Sequence, residues 1–280
     1  MNLQNILTAI EQEDAEVYSK LDTRRKVMKN FASLSGKIAL TAIPMGLASM
    51  FQKAYGGTTS VITDVLNFAL TLEYIESEFY KKGVSTSGLI AGEDMPAFET
   101  INKHEKQHVK FLTDAIIALG GTPVYFKFSS FDYTAKGNFP KVFSDYATFL
   151  AVSQTFEDTG VRAYKGQAPN LMSSHLLLNA ALRIHSVEGR HAAHLRKIRR
   201  KNGLLVPAGV DLRSWITLNQ SGIGSPVVQP SYNGEQLTTQ AGINIVNING
   251  QSISAEAASE SFDEPLTKEQ VIAIVTPFFA

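Results

Sequence analysis

A spacing that occurs twice constrains this chain more than any other feature. Glu73 is followed after 32 residues by Glu105 and then by His108, and Glu157 is followed after 31 residues by Glu188 and then by His191. The echo extends to the neighbours. Each His is followed four positions on by a leucine, Leu112 and Leu195, and each lone glutamate seven positions on by a tyrosine, Tyr80 and Tyr164. The order Glu, Glu-x-x-His, Glu, Glu-x-x-His therefore reads as an internal duplication. It predicts two helical hairpins related by an approximate two-fold axis, each bringing one lone carboxylate and one carboxylate–imidazole pair to a shared centre, the inventory of a carboxylate-bridged two-metal site in a helical bundle.

Hydrophobic periodicity places these residues indoors. Over 60–82 the positions Ile62, Leu66, Ala69, Glu73, Glu76 and Tyr80 recur at three-four spacing, which marks one face of a helix. Gly83 after two lysines suits its end. A second helix is predicted from Asp94, as N-cap with Pro96 in the first turn, to Leu119; its seam is Ile101, Glu105, His108, Leu112 and Ala115. Gly120-Gly121-Thr122-Pro123 stops it. A third helix over 144–165 carries Leu150, Ser153, Glu157, Gly160 and Tyr164, and a fourth over 171–201 carries Leu177, Ala181, Ile184, Glu188, His191, Leu195 and Ile198. Between the pairs, residues 122–143 are aromatic and broken by Gly and Pro, so they read as a long crossover. The expected fold class is all-α, a four-helix bundle of two hairpins over 58–202, with a leader over 1–57 and an irregular extension over 203–280.

Four ionised glutamates facing one core would be prohibitive by desolvation and mutual repulsion unless cations neutralised them. Two divalent ions carry the matching charge. The chain has no cysteine, which leaves His, Asp and Glu as the strong ligands. Glu73, Glu105, Glu157 and Glu188 with the imidazoles of His108 and His191 make a mixed oxygen and nitrogen set suited to iron or manganese, and able to take zinc. The i, i+3 spacing brings both members of a pair over one helical face. Glu76 lies on the same seam, but its counterpart in the second half is Gly160, so it reads as a spare acid that supports a ligand or adds one. Tyr80 and Tyr164 read as core residues hydrogen-bonded to ligand carboxylates. His104, His175, His185 and His194 fall off the seam. On this view Glu188→Gln weakens metal binding and relieves repulsion in the metal-free protein.

The flanks speak less directly. Thr23 to Lys29, TRRKVMK, leads into an apolar run over 38–51 and is similar to a twin-arginine export signal; the competing reading is a basic helix packed on the domain. The run is shorter than the about 20 apolar residues of a membrane span. The net charge is zero, and the basic run from Arg196 to Lys201 reads as a solvated helix end, so no nucleic-acid partner is expected. The extension is rich in Gly, Ser, Thr and Asn with β-prone INIVNI at 243–248. Thr267 and Gln270 can form a capping box opening a last short helix, whose apolar end VTPFFA is expected to dock on the bundle or on another copy in a homo-oligomer.

The segments LNFALTLEYIESEFYKKG, INKHEKQHVKFL, TFLAVSQTFEDTGVRAYKGQ and AALRIHSVEGRHAAHLR together resemble the ferritin-like domain family that includes desiccation-related proteins. The resemblance implies a ferritin-like four-helix bundle and two metal ions held by the six residues named above. It leaves three functions open: an oxidoreductase-like di-iron or di-manganese protein acting on dioxygen or peroxide, an iron-binding or storage protein, and a structural stress protectant. Location remains a choice between export and the cytoplasm. If the leader is an export signal, replacing Arg24 and Arg25 with lysine should trap the chain in the cytoplasm; a full-length wild-type chain found only there after fractionation would refute it.

Overall fold

The computed structural model describes residues 61–204 and 206–280. The twin-arginine-like stretch and the rest of the leader lie outside the described residues. Helices α1 (Val61–Ser85) and α2 (Met95–Ala118) form the first hairpin, and α3 (Tyr146–Gln167) and α4 (His175–Asn202) the second; α1 packs chiefly along α2 and α3 along α4. All four helices fall within a few residues of the expected spans. Local chemistry sets their ends. Asp145 caps α3 by accepting the Thr148 N–H at 2.8 Å, Ser174 caps α4, and Gly203 in the left-handed region ends α4. Two expected signals act differently. Asp94 makes no side-chain cap and instead accepts the Tyr146 hydroxyl at 2.8 Å, and α1 continues past Gly83 to Ser85.

The seam positions are buried in every helix, apart from the half-buried Ile62. Helix α3 goes further: from Phe149 to Tyr164 every residue is buried, around the whole circumference. A helix enclosed on all sides must have its outer face covered by other parts of the chain. The crossover, residues 119–145, is irregular as expected, with a single 3-10 turn at Phe128–Ser130. It runs against α1, where the Asn67 amide donates to the Thr122 carbonyl at 3.1 Å and accepts the Val124 N–H at 2.8 Å.

The extension covers the second hairpin. It holds a two-residue antiparallel hairpin, β1 (Thr239–Gln240) and β2 (Ile243–Asn244), turned by Ala241 and Gly242 at positive φ. Beyond β2 the β-prone INIVNI stretch forms no further strand: the Ile245 N–H still bonds to the Thr238 carbonyl at 2.9 Å, but the Asn247 N–H turns to the Ile253 carbonyl at 3.1 Å. Helix α5 (Ala255–Ser259) follows, then α6 (Lys268–Val275), which opens with the expected Thr267–Gln270 capping box. The apolar end docks on the chain's own bundle. Phe278 packs edge-on to Phe156 at 4.8 Å, and Phe279 pairs with Phe131 of the crossover. At Gly166 a Cβ would fall 1.9 Å from the Leu266 carbonyl oxygen, so only glycine lets the extension cross α3 there.

Polar anchors hold the extension, and they correct the reading of the basic run. Arg196 and Arg199 are 1% and 0% exposed, so they are buried groups rather than part of a solvated helix end; Lys197, Arg200 and Lys201 are exposed. Arg196 grips Asp158 with two bonds, at 2.5 and 3.2 Å. Arg199 donates to Gln154 and to the Gly222 carbonyl, the latter at 2.7 Å. The Tyr232 hydroxyl donates to Asp158 at 2.8 Å. Arg162, equally buried, meets Glu235 at 2.5 Å and donates to the carbonyls of Ser231, Asn233 and Glu264. These guanidiniums satisfy carbonyls of irregular backbone that would otherwise be stranded away from water.

Removing one member leaves its partner charged and buried. Arg196→Ala should therefore cost about 3–5 kcal/mol in urea unfolding, whereas Arg200→Ala should stay within about 0.5 kcal/mol. Equal effects at the two positions would restore the solvated reading of the run.

Candidate metal centre

Helical geometry delivers six side chains to the middle of the bundle. Glu73 comes from α1, Glu105 and His108 from α2, Glu157 from α3, Glu188 and His191 from α4; the glutamates are 0% exposed and the histidines 5%. The structure brings all six together in two overlapping groups. Glu73, Glu105, His108 and Glu188 form one, and Glu105, Glu157, Glu188 and His191 the other.

The distances within each group are informative. His108 Nδ1 lies 3.1, 3.2 and 3.1 Å from oxygens of Glu73, Glu105 and Glu188. His191 Nδ1 lies 3.0, 3.2 and 3.2 Å from oxygens of Glu105, Glu157 and Glu188. One N–H cannot donate along three such directions. Glu105 Oε1 and both oxygens of Glu188 indeed have no hydrogen bond of acceptable direction, although an imidazole nitrogen is this close to each. Donor atoms about 3.0 Å apart are instead the spacing of neighbours around a common cation, since bonds of about 2.1 Å at right angles give that separation. The residues fit a pair of divalent ions on this ground. Glu105 turns one oxygen to each group, as does Glu188, whereas Glu73 and Glu157 each belong to one.

The two-fold relation appears in the supporting contacts. The Tyr80 hydroxyl of the first hairpin donates to Glu157 of the second at 2.5 Å, and Tyr164 of the second donates to Glu73 of the first. Each tyrosine thus fixes the unshared glutamate of the opposite hairpin. Burial first, and the adjacent carboxylates second, hold both phenols well above their ordinary pKa, so they remain donors.

Symmetry breaks in two places. Glu76 is buried without a hydrogen-bond or ion-pair partner among the described residues, and it stands outside both groups. Its Oε1 lies 3.4 Å from where a Cβ on Gly160 would be, so the missing side chain in one half is what houses the extra acid of the other. The second break is His104, which stacks on His191 at 5.2 Å with Nδ1 2.9 Å from His191 Nε2; Val187 stands at the equivalent place in α4. A contact there orients the imidazole from behind. Position gave only a weak sign of it, because His104 adjoins Glu105 but lies off the seam. His175 and His194 are exposed, and His185 is half-buried.

Without metal the cluster must balance its charge with protons. Burial pushes Glu73 up to about 8 and Glu157 well above the carboxylate range, although the imidazoles beside them pull the other way. Burial and the surrounding carboxylates raise Glu76 likewise. Burial also opposes protonation of His108 and His191, but the carboxylates around each outweigh it and raise both well above their ordinary value. For Glu105 and Glu188 the same burial is outweighed by the two imidazoles, which lower them. In the metal-free core these directions favour positive charge on the two imidazoles and negative charge on the two carboxylates that face both of them. Glu188 lies 3.1 and 3.2 Å from the two imidazoles, so its removal takes away their shared counter-charge, an effect opposed to the relief of repulsion expected of Glu188→Gln.

The signs give a test. Raised groups contribute stability that is complete below their unfolded pKa and lost as pH climbs through the folded one, here from about 4.5 to about 8 for Glu73. Metal requires deprotonated ligands, so its affinity rises over the same span. Calorimetry should show the gap between metal-loaded and metal-free melting temperatures widening from about pH 5.5 to about pH 8.5. Glu73→Gln should weaken metal binding with little loss of metal-free stability, whereas Glu188→Gln should lose both. A gap independent of pH, with loading verified by metal analysis, would refute the cluster.

The comparison with known families agrees with this geometry. A family model described as a ferritin-like domain matches residues 62–201, which spans all four long helices. Among curated proteins none matches the chain. The chain belongs to the ferritin-like domain family.

Proposed function

We propose that this ferritin-like chain holds two divalent ions, iron or manganese, and uses them in oxidoreductase chemistry on dioxygen or peroxide. The observation that carries the reading is the pair of imidazole nitrogens, each facing three carboxylate oxygens, with Glu105 and Glu188 common to both sets. Glu73 and His108 would hold one ion and Glu157 and His191 the other, with Glu105 and Glu188, which turn an oxygen to each group, available to both. Bound iron or manganese would supply one-electron redox chemistry. The protein's own part is to hold the ligands before metal arrives. Tyr80 and Tyr164 keep the unshared carboxylates turned inward, His104 braces His191, and the buried surroundings strengthen every charge interaction inside. Glu76, adjacent but unshared, is the reserve acid beside the centre.

No helix among the described residues is long and apolar enough to cross a membrane. The proposal that the chain works outside the cytoplasm rests on the Arg24-Arg25 leader alone.

Metal analysis of protein loaded with ferrous iron or manganese should give two ions per chain. His108→Ala and His191→Ala should each weaken one ion most, Glu105→Gln should weaken both, and Glu76→Gln should leave the count unchanged. The loaded protein should then oxidise ferrous iron under air or consume peroxide faster than the Glu105→Gln variant. Two ions bound with no turnover would favour the static binding or stress-protectant reading, and no ions bound would refute the centre itself.

A further inference from the structure

The bundle has two ends on either side of the glutamate cluster, and the duplication allows them to be compared residue by residue. At the end that contains the aromatic half of α1 and the start of α3, Phe79, Phe98 and Phe149 are each 0% exposed and pack around Tyr80. Phe79 and Phe149 stack at 4.8 Å, and Phe98 lies 5.4 Å from Phe149 and 6.2 Å from Tyr80. The space there is filled. Gly83 helps, since a Cβ on it would fall 2.4 Å from the Phe149 ring.

Applying the alignment that superposes Glu73 on Glu157 and Glu105 on Glu188, the same positions at the other end are Ala163 for Phe79, Ala181 for Phe98 and Val65 for Phe149. Three rings are missing there. Phe68, opposite Val152, and Phe111, opposite His194, are rings gained at this end, and both stand in the wall of the space that remains. A cavity results, lined by Val65, Ala69, Leu112, Ala163, Ala181 and Ile184 among others, with Tyr164 and Gln167 as the polar residues of its wall and a volume of about 20 Å³ open to the centre of a water-sized molecule. That exceeds the about 10–15 Å³ needed for one water-sized molecule. Its walls are almost wholly carbon, and a water needs two to four polar partners, so the space suits a nonpolar guest better than water.

The cavity's position is as specific as its lining. Ala69, Leu112 and Ile184 lie one helical turn from Glu73, His108 and Glu188, and the Tyr164 hydroxyl donates to Glu73. A molecule in the cavity is therefore separated from the glutamate cluster by a single layer of side chains. We propose that this cavity is a binding site for a small nonpolar molecule of the size of dioxygen, placed beside the cluster where Ala163, Ala181 and Val65 stand in place of the rings of the other half. The choice of dioxygen as guest rests on the proposed metal centre; the nonpolar site itself rests on the cavity alone. No bond is made or broken in the cavity, which only concentrates the guest.

Xenon is a nonpolar probe of suitable size, and the test uses the full chain. Crystals pressurised with xenon should show a xenon atom between Ala163, Ala181 and Leu112 in both metal-free and metal-loaded protein. Ala181→Phe, which copies the residue at the filled end, should abolish it; if that variant does not fold, Ala163→Leu serves the same purpose. Phe98→Ala should open a second xenon site at the opposite end. With ferrous protein, the filled-cavity variant should bind the same amount of iron but need several-fold more dioxygen to reach half its oxidation rate. Metal binding without xenon in the wild-type cavity would overturn the cavity proposal and leave the centre standing. Xenon binding without metal would overturn the centre, and with it dioxygen as the guest. An unchanged dioxygen dependence in a variant that no longer takes up xenon would reduce the cavity to a packing gap.

Discussion

Everything in this structure depends on keeping four carboxylates ionisable in the middle of a bundle. Desolvation alone would protonate them, and mutual repulsion would push them apart, so the fold has to supply positive charge at the same place. It does so at two levels. The imidazoles of His108 and His191 sit where each touches three carboxylates, which lets the core hold together with protons alone. The same arrangement leaves several oxygens of Glu105 and Glu188 close to nitrogen but without a directed hydrogen bond, and a cation satisfies what a proton cannot.

Around that centre the two halves have diverged in what covers them. The first hairpin is wrapped by the crossover, through Asn67 and the rings of Tyr74, Tyr125 and Phe126. The second is wrapped by the extension. Positions that are Tyr74 and Glu78 in α1 become Asp158 and Arg162 in α3, and those that are Thr113 and Ile116 in α2 become Arg196 and Arg199 in α4. Buried ion pairs of this kind add little net stability over an apolar core but penalise wrong packing heavily. They suit a task in which irregular backbone must be seated on a helix in one register.

The departures from symmetry have a common logic. Where one half removes a side chain, the other half or another segment uses the space: Gly160 houses Glu76, Gly83 houses Phe149, and Gly166 admits the Leu266 backbone. The cavity at Ala163 and Ala181 is the exception, since nothing in the described chain refills it. Interiors are close-packed, so an unfilled space beside the centre stands out against this background.

The sequence by itself determined the four helices, the duplicated order of ligands, the seam that carries them inward and the capping box of the last helix. Each is written in spacing along one chain segment, and helical periodicity translates spacing into a face without reference to the rest of the molecule. The convergence of Glu73, Glu105, His108, Glu157, Glu188 and His191 was legible for the same reason, because equal spacing in two halves implies a shared centre. Which carboxylates are shared, which hairpin each tyrosine serves, why Glu188 is an anion rather than a source of strain, and why Arg196 and Arg199 are buried were decided only by the tertiary structure. Those are distances between atoms far apart in the chain, set by how one hairpin docks on the other and by where the extension crosses them, and a linear pattern carries no record of them.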